Sequence, residues 1–447
     1  MKTRTSEETK TTAREAALEI LISLEQKPEF AEEALDKYLS DQTVSPLDRK
    51  LARRLVLGVT KMKLRLDYLI RLHLDLELET LTIPIRNILR MGIYQLDFTH
   101  KIPDYAAVDE SVNLARKYGH QGVAKLVNAV LRNYLRNRSN LKFPSGEVKY
   151  ISSYYSFQEW MVGRWLELFG RKNVEKLCEY FNSKPRLGFR VNTLNSSPWE
   201  AEHYLAKKGS NYTKGKHAQN FFYLDSPIEL SQFDLLKAGK IYLQDESSML
   251  AVDLLDPQPG ERILDLCAAP GGKATYIAQK MQNRGKVIAV DKAEPKLNLI
   301  RKNSERLKAE IVEAVMEDGT KWSSEVVDRI LIDAPCSGTG VLGRNADSRW
   351  SKRPSDLKRL SELQLDLLTN AIYSLKPQGI LVYSTCSIMP EENQQVIAKF
   401  LELYPEMKGE PAGEFVPKEL QLPEGYMQSL PHLHGIDGAF AVRMRKK

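Results

Sequence analysis

A chain of 447 residues is too long for one ordinary hydrophobic core and predicts roughly three domains of ~150 residues. With 42% apolar and 28% charged residues it reads as a soluble globular protein, and no window approaches the ~18 uninterrupted apolar residues that would cross a bilayer. The formal net charge of +7 is a mild bias towards a polyanionic partner, one that a plain basic cytosolic protein would also carry.

Residues 1–142 predict an all-helical domain. The first eight, Met1–Glu8, lack an apolar core, so no secretory signal is expected. Thr12-Ala-Arg-Glu15 is a capping-box pattern, in which hydroxyl and carboxylate each satisfy a free backbone N–H; Ala13, Ala16, Ala17, Ile20, Leu21 and Leu24 follow at helical spacing. Ser45-Pro-Leu-Asp48 opens a second helix with Pro46 in the first turn, where its missing N–H costs nothing, and Leu51, Leu55, Val59 and Met62 continue one face. Further helices are expected from near Pro84, over 105–118 as far as Gly119, and over 123–135. From Ser111 to Gly146 there is no acidic residue, while Arg116, Lys117, Lys125, Arg132, Arg136, Arg138 and Lys142 are basic. A solvated helix face and contact with phosphates are both open readings of that run.

Ser139-Asn140 and Phe143-Pro-Ser-Gly146 form the expected linker. Residues 147–240 predict a small α/β, RNA-binding domain. Phe157, Trp160 and Trp165 are spaced for a helix, and Arg186–Asn192 reads as a strand with basic ends. These rings could stack on bases or simply fill a core.

From 244 to 447 strands alternate with helices: Arg262–Cys267, a helix to Met281, Lys286–Asp291, a helix Lys296–Leu307, Glu310–Met316, Arg329–Asp333, a helix Pro354–Leu375 stopped by Pro377-Gln-Gly379, Ile380–Ser384, a helix Glu391–Leu403, and a last strand Gly438–Met444. Repeated β-α units predict a doubly wound, Rossmann-like sheet whose ligand crevice lies outside the carboxyl ends of its strands. The polar oddities fall at those ends. Strand one runs into Cys267-Ala268-Ala269-Pro270-Gly271-Gly272-Lys273, the next into Asp291, the third into Glu317-Asp318, the fourth into Asp333-Ala-Pro-Cys336, and the fifth into Ser384-Thr-Cys386.

The glycine loop offers close backbone approach and free helix N–H donors to a ligand. Asp291, 18 residues after Lys273, is placed to grip ribose hydroxyls, and Asp318 to accept from an adenine amino group. The loop is neither Gly-x-Gly-x-x-Gly nor Gly-Lys-Ser/Thr, which disfavours a dinucleotide oxidoreductase and an NTPase. A donor carrying adenosine and an amino-acid tail, S-adenosylmethionine, fits better, with Lys273 near the tail carboxylate or a neighbouring acid. Methyl transfer is then mainly alignment.

Amino-group methylases of such folds have no need of a thiolate, yet Cys336 and Cys386 both stand beside polar site residues. Carbon 5 of cytosine is a poor nucleophile that a thiolate adding at carbon 6 activates. On this reading Cys386 adds to the ring, Asp333 (protonated, or sharing a proton) stabilises charge at ring nitrogen 3, and Cys336 helps the release step. Cys178 and Cys267 read as buried fillers. The four widely spaced cysteines form neither a disulfide framework nor a zinc pattern, and a reducing cytoplasm would keep them free. His432-Leu-His434 lacks a third ligand, so no metal is expected. The basic loop Arg344, Asp347-Ser-Arg-Trp350, Lys352-Arg353 reads either as an RNA-backbone contact or as solvated surface.

The runs Asp265–Lys273, Asp333–Gly340 and Ser384–Ser387 resemble the RNA cytosine-C5 methyltransferase family of the NOL1/NOP2/Sun type. That resemblance implies S-adenosylmethionine as cofactor, Cys386 as nucleophile, Cys336 assisting product release, and cofactor contacts from 267–273, Asp291, Asp318 and Asp333. Arg90-Met-Gly-Ile-Tyr-Gln95, Val108–Arg116 and Asn128-Ala-Val-Leu-Arg132 are similar to the NusB fold. A NusB-like domain joined to such a methylase implies 16S ribosomal RNA, naked or in a small-subunit assembly intermediate, as partner, and a cytoplasmic, membrane-free monomer. The rival readings are the same chemistry on tRNA or another RNA, a catalytically dead RNA-binding or antitermination factor, and a small-molecule methylase.

Overall fold

The computed structural model describes residues 11–27, 29–40, 44–99, 101–225, 230, 233–345 and 347–447, so Met1–Glu8 lies outside it. The chain forms two compact units: residues up to Asn182 together with Asn345–Ser351, and Ser183–Arg344 together with Lys352–Lys447. No helix among the described residues is long and apolar enough to cross a membrane.

The first unit is helical: α1 (Ala13–Gln26), α2 (Ala31–Leu39), α3 (Pro46–Lys61), α4 (Lys63–Arg71), α5 (Ile83–Phe98), α6 (Asp104–Tyr118), α7 (Gln121–Asn137), α8 (Glu147–Tyr155) and α9 (Glu159–Asn182), the last broken at Gly170. The Thr12 capping box closes, and Ser45 caps α3 through the N–H of Asp48 at 3.2 Å. Helices α2 and α4 add to those the spacing predicts; nine residues each give too few turns for a clear period. Leu18, Ile20, Leu55, Val56, Ile88, Leu89, Val127 and Leu131 share one core. Arg90 is buried in it and grips Asp67 with two hydrogen bonds at 2.6 and 2.9 Å. All seven cations of the 111–146 stretch are exposed, and Lys125, Arg132 and Arg136 share one face of α7.

Two of the open readings resolve here. Phe157 and Trp165 are fully buried, with ring centroids 5.4 Å apart, so they are core rather than a base-stacking platform. Within 347–350, Arg349 is turned inward, neither solvated nor presented to RNA. Arg349 is fully buried over the Phe157 ring at 4.0 Å and donates to the Lys61 carbonyl (3.3 Å), the Ser156 carbonyl (3.1 Å) and Asn182 Oδ1 (3.0 Å). Burial pulls its pKa down to about 9. Trp350 donates to the Thr60 carbonyl at 2.7 Å, and Asp347 accepts from the Ala31 N–H at 3.0 Å. In the other unit, Arg344 is held by Asp245 at 2.6 Å and by Asp437.

The second unit holds two sheets. The smaller is antiparallel, with order β2-β3-β1-β4, built from β1 (Leu187–Val191), β2 (Tyr212–Lys214), β3 (Phe221–Leu224) and β4 (Ile241–Leu243). The larger comprises β5 (Arg262–Leu266), β6 (Lys286–Asp291), β7 (Val312–Met316), β8 (Val327–Asp333), β9 (Leu375–Thr385), β10 (Met407–Glu410), β11 (Met427–Ser429) and β12 (Ala439–Lys446), in the order β10-β12-β9-β8-β5-β6-β7, with β11 on β12. Strands β5 to β9 are parallel, while β12, the tail strand, runs antiparallel to β9, so the sheet is mixed. Alternate residues feed opposite faces, as a strand's two-residue period requires. Ile263, Leu331 and Val382 pack with the helices Ser247–Leu255, Gly272–Lys280 and Glu294–Leu307. Leu264, Ile330 and Leu381 pack with Pro354–Ala371 and Gln394–Leu403.

One stop signal acts elsewhere than expected. The long helix ends at Ala371 and a 3-10 turn follows, while Pro377-Gln-Gly379 lies inside β9. Gln378 takes a φ of 63°, and the pairing with β8 jumps from Val327↔Leu375 to Arg329↔Ile380, a bulge that absorbs the proline.

Candidate active site

At the end of β5 the backbone turns sharply: Cys267 has a φ of 62° and Gly271 one of 97°. A Cβ at Gly271 would also sit 3.2 Å from the Ile300 Cα, so this loop needs glycine both for its conformation and for its close approach to the neighbouring helix. Helix Gly272–Lys280 starts at once, leaving its first N–H groups directed at the crevice.

Asp265 is fully buried, and neither of its carboxylate oxygens has a hydrogen-bond partner. Burial holds its pKa well above the usual carboxylate range, helped by Asp333 and Asp291 and opposed by Lys273. The Lys273 ammonium lies 2.6 Å from Asp333 Oδ2. Burial works against that charge, but Asp333, Asp265 and Cys386 together raise the lysine pKa above its ordinary value. The other Asp333 oxygen accepts from the Ser384 hydroxyl at 3.0 Å. Asp291, buried at the end of β6, has Lys296 at 3.7 Å. Asp318 is exposed beyond β7 and accepts from the Thr320 N–H and hydroxyl at 3.0 and 2.8 Å, bonds that lower its pKa. Burial, reinforced by Asp291, Asp333 and Asp265, pushes the Cys267 thiol up to about 12.

Strands β8 and β9 carry the two remaining cysteines to one point. Their parallel register sets Asp333 beside Ser384, and the loops that follow bring Cys336 Sγ to 3.1 Å from Cys386 Sγ. The contact between loops is backbone on backbone: Gly340 N–H donates to the Cys386 carbonyl and Gly438 N–H to the Gly340 carbonyl, both at 2.9 Å. A Cβ at Gly340 would fall 2.5 Å from the Gly438 oxygen and 2.7 Å from the Cys386 oxygen, so no larger residue fits without moving a sulfur-bearing loop. The hydrogen bond with Cys386, together with burial and the nearby Glu392 charge, holds the Cys336 pKa well above the usual thiol value. The two sulfurs lie within hydrogen-bonding reach of one another at the ends of neighbouring strands.

Lys273, Asp333, Cys336 and Cys386 thus converge, Asp291 lines the next strand end, and Asp318 stands further out. His432 and His434 take no part: His434 Nδ1 accepts from the Leu430 N–H at 2.9 Å, and no set of three or more His, Cys, Asp or Glu that could hold a metal occurs among the described residues. Sequence reasoning missed Asp265, Glu392 and Asn393 as site residues. A charged residue inside the apolar run Ile263-Leu-Asp-Leu266 was the available signal for Asp265. For the pair Glu392-Asn393 it was the crowd of hydroxyls at Ser337, Thr339, Ser384, Thr385 and Ser387, which need buried acceptors.

Three family models match the chain: 16S rRNA methyltransferase RsmB/F over residues 252–445, the NusB family over 11–136, and an RsmF/B-like ferredoxin-like domain over 157–231. A probable ribosomal RNA small subunit methyltransferase B of Bacillus subtilis is 36% identical, the match covering 98% of this chain and 99% of that protein. Its Synechocystis counterpart is 33% identical over 97% and 99%. A solved methyltransferase homolog protein from Pyrococcus horikoshii superposes with a TM-score of 0.60 at 31% identity, covering 68% of this chain and all of that one.

Proposed function

The chain belongs to the 16S rRNA methyltransferase RsmB/F family, and on that premise we propose that it methylates carbon 5 of a cytosine in 16S ribosomal RNA through a covalent Cys386 adduct. The observation that carries this reading is the pair of sulfurs 3.1 Å apart beside the Lys273–Asp333 ion pair, since methylating an exocyclic amine or a ribose hydroxyl needs no thiolate.

The crevice fits S-adenosylmethionine. Asp265, buried with two unpaired oxygens, offers an acceptor for a ligand ammonium. The 267–273 loop would hold the amino-acid end, Asp291 the ribose hydroxyls, and Asp318 the adenine amino group. When bound, the cofactor supplies an electrophilic methyl group.

The protein's own part begins with the Cys386 thiolate, which forms a bond to ring carbon 6 and shifts electron density to carbon 5. Asp333, sharing a proton with Lys273, supports the charge at ring nitrogen 3. After carbon 5 is methylated it loses its proton to solvent. The S–C6 bond then breaks with its electrons returning to Cys386, and Cys336 assists that release. The Cys336 thiol, its pKa held above the ordinary value by the Cys386 hydrogen bond and burial, sits 3.1 Å from the Cys386 sulfur.

The exposed Lys125, Arg132 and Arg136 face of α7 serves as a phosphate contact, within a helical RNA-binding domain spanning 1–142; a small α/β RNA-binding domain spans 147–240 and the catalytic domain 244–447. The protein acts as a cytoplasmic monomer on the RNA or on a small-subunit assembly intermediate.

The test is to incubate the Cys336→Ala and Cys386→Ala variants with S-adenosylmethionine and unmodified 16S rRNA and run a denaturing gel. A protein–RNA adduct that persists in Cys336→Ala and is absent in Cys386→Ala is expected. Methylation by both variants without any adduct would refute the thiolate mechanism.

A further inference from the structure

We infer that Glu392 is a positioning residue for this chemistry: its buried carboxylate binds the residue after each cysteine, Ser337 and Ser387, and so fixes the spacing of the two sulfurs. The inference rests on the covalent mechanism proposed above and adds a group that lies outside the cysteine motifs.

Glu392 is fully buried in the 3-10 turn Pro390–Glu392 that follows β9. One oxygen accepts from the Ser337 backbone N–H at 2.7 Å and from Gln364 Nε2 at 3.2 Å. The other accepts from the Ser387 hydroxyl at 2.5 Å and from the Ser337 hydroxyl. Four donors on one side chain exhaust what an ionised carboxylate can accept, and only a carboxylate offers that capacity. The surrounding bonds extend the same frame. Gln364 also donates to the Pro335 carbonyl at 2.9 Å, the Tyr383 hydroxyl to the Glu392 carbonyl at 2.6 Å, and Asn393 Nδ2 to the Ser387 carbonyl at 2.9 Å, while Asn393 Oδ1 accepts from the Thr385 hydroxyl at 2.6 Å. Both cysteine loops are therefore tied to one acid by their i+1 residues, and neither sulfur-bearing loop can shift alone.

The charge has a second consequence. Glu392 is among the groups that hold the Cys336 proton in place, after the Cys386 hydrogen bond and burial. A neutral replacement makes that proton easier to lose. A glutamine keeps the shape but can face only one pair of donors with its carbonyl. Its amide NH2 then meets two hydroxyls that must turn away, and the hydroxyl link between the loops is lost.

The experiment compares wild type, Cys336→Ala, Glu392→Gln and Glu392→Asp, each checked for folding by thermal melting. With 16S rRNA and S-adenosylmethionine, Glu392→Gln should slow product release by roughly ten-fold or more, so that adduct accumulates on the denaturing gel as it does in Cys336→Ala. The KM for S-adenosylmethionine should change less than about two-fold, because the carboxylate lies on the sulfur side of the crevice. The alkaline limb of the release-step pH profile should move to lower pH, in the direction set by removing a negative charge beside Cys336. Glu392→Asp, which keeps the charge but shortens the reach, should restore the pH profile without restoring the rate. A folded Glu392→Gln protein that releases product at the wild-type rate with an unchanged pH profile would overturn the inference. If Glu392→Gln does not fold, the Ser337→Ala, Ser387→Ala double variant decides: accumulated adduct supports the positioning role and wild-type release refutes it. Failure of Cys336→Ala itself to trap adduct would instead count against the covalent mechanism, which separates the two claims.

Discussion

The two sides of the crevice are built on opposite principles. On the sulfur side, where β8 and β9 end, the groups that join the two loops are satisfied within the protein: Glu392 takes four donors, Asn393 joins two loop groups, and Gly340 is clamped between the carbonyl of Cys386 and the N–H of Gly438. On the other side, where β5 ends, Asp265 lies buried with both oxygens unpaired, and the Lys273–Asp333 pair is the nearest compensation. A buried unpaired carboxylate costs stability that a folded chain ordinarily avoids. The contrast separates positions whose geometry must be fixed before substrate arrives from positions completed by a ligand. The sulfurs need a set distance, whereas the donor side needs acceptors left open.

Breaking the clamp should give the largest effect. Gly340→Ala forces a methyl group against two carbonyl oxygens, so it should lower stability by about 2–4 kcal/mol and methyl transfer by more than about a hundred-fold, as read from melting curves and single-turnover rates. Wild-type turnover in a folded Gly340→Ala protein would mean that the sulfur spacing is not under tight control.

The donor side should behave differently. Asp265→Asn removes the open acceptor, and S-adenosylmethionine affinity measured by calorimetry should fall on the order of ten- to a hundred-fold. Stability without ligand should hold or rise, because the costly buried carboxylate is gone. An unchanged affinity would show that the open oxygens are not a ligand contact.

A smaller effect sharpens the same contrast. The folded-state pKa of Asp265 is raised, so the native protein keeps a proton there that the unfolded chain gives up. Its contribution is fully present below the ordinary carboxylate range, near pH ~4, and is lost as pH rises through the folded value. Wild-type melting temperature should therefore decline over that span more steeply than that of Asp265→Asn, and parallel curves would contradict the raised pKa.

Much of this was legible in the sequence because strand-end motifs are local. Asp265–Lys273, Asp333–Gly340 and Ser384–Ser387 each carry their own turn chemistry, and the β-α alternation orders them along one sheet edge. What was hidden depends on closure in three dimensions. Glu391 and Glu392 stand side by side at a helix start, and only the fold turns Glu392 inward onto Ser337, contributed by a loop 55 residues earlier. Arg349 sits in a basic, polar stretch that reads as solvated loop or RNA contact, yet two backbone carbonyls and the Asn182 side chain hold it in the interior. Pro377-Gln-Gly379 has the composition of a helix stop and serves as a strand bulge, because the neighbouring strand leaves room for the extra residues.

The most direct measurement of the central claim uses the wild-type protein with RNA carrying 5-fluorocytidine at its target and S-adenosylmethionine. Fluorine at carbon 5 cannot leave as a proton, so the enzyme should stop at the covalent stage, and digestion followed by mass spectrometry should find the nucleotide on the peptide containing Cys386. Attachment at Cys336, or no attachment while the same RNA without fluorine is methylated, would contradict it.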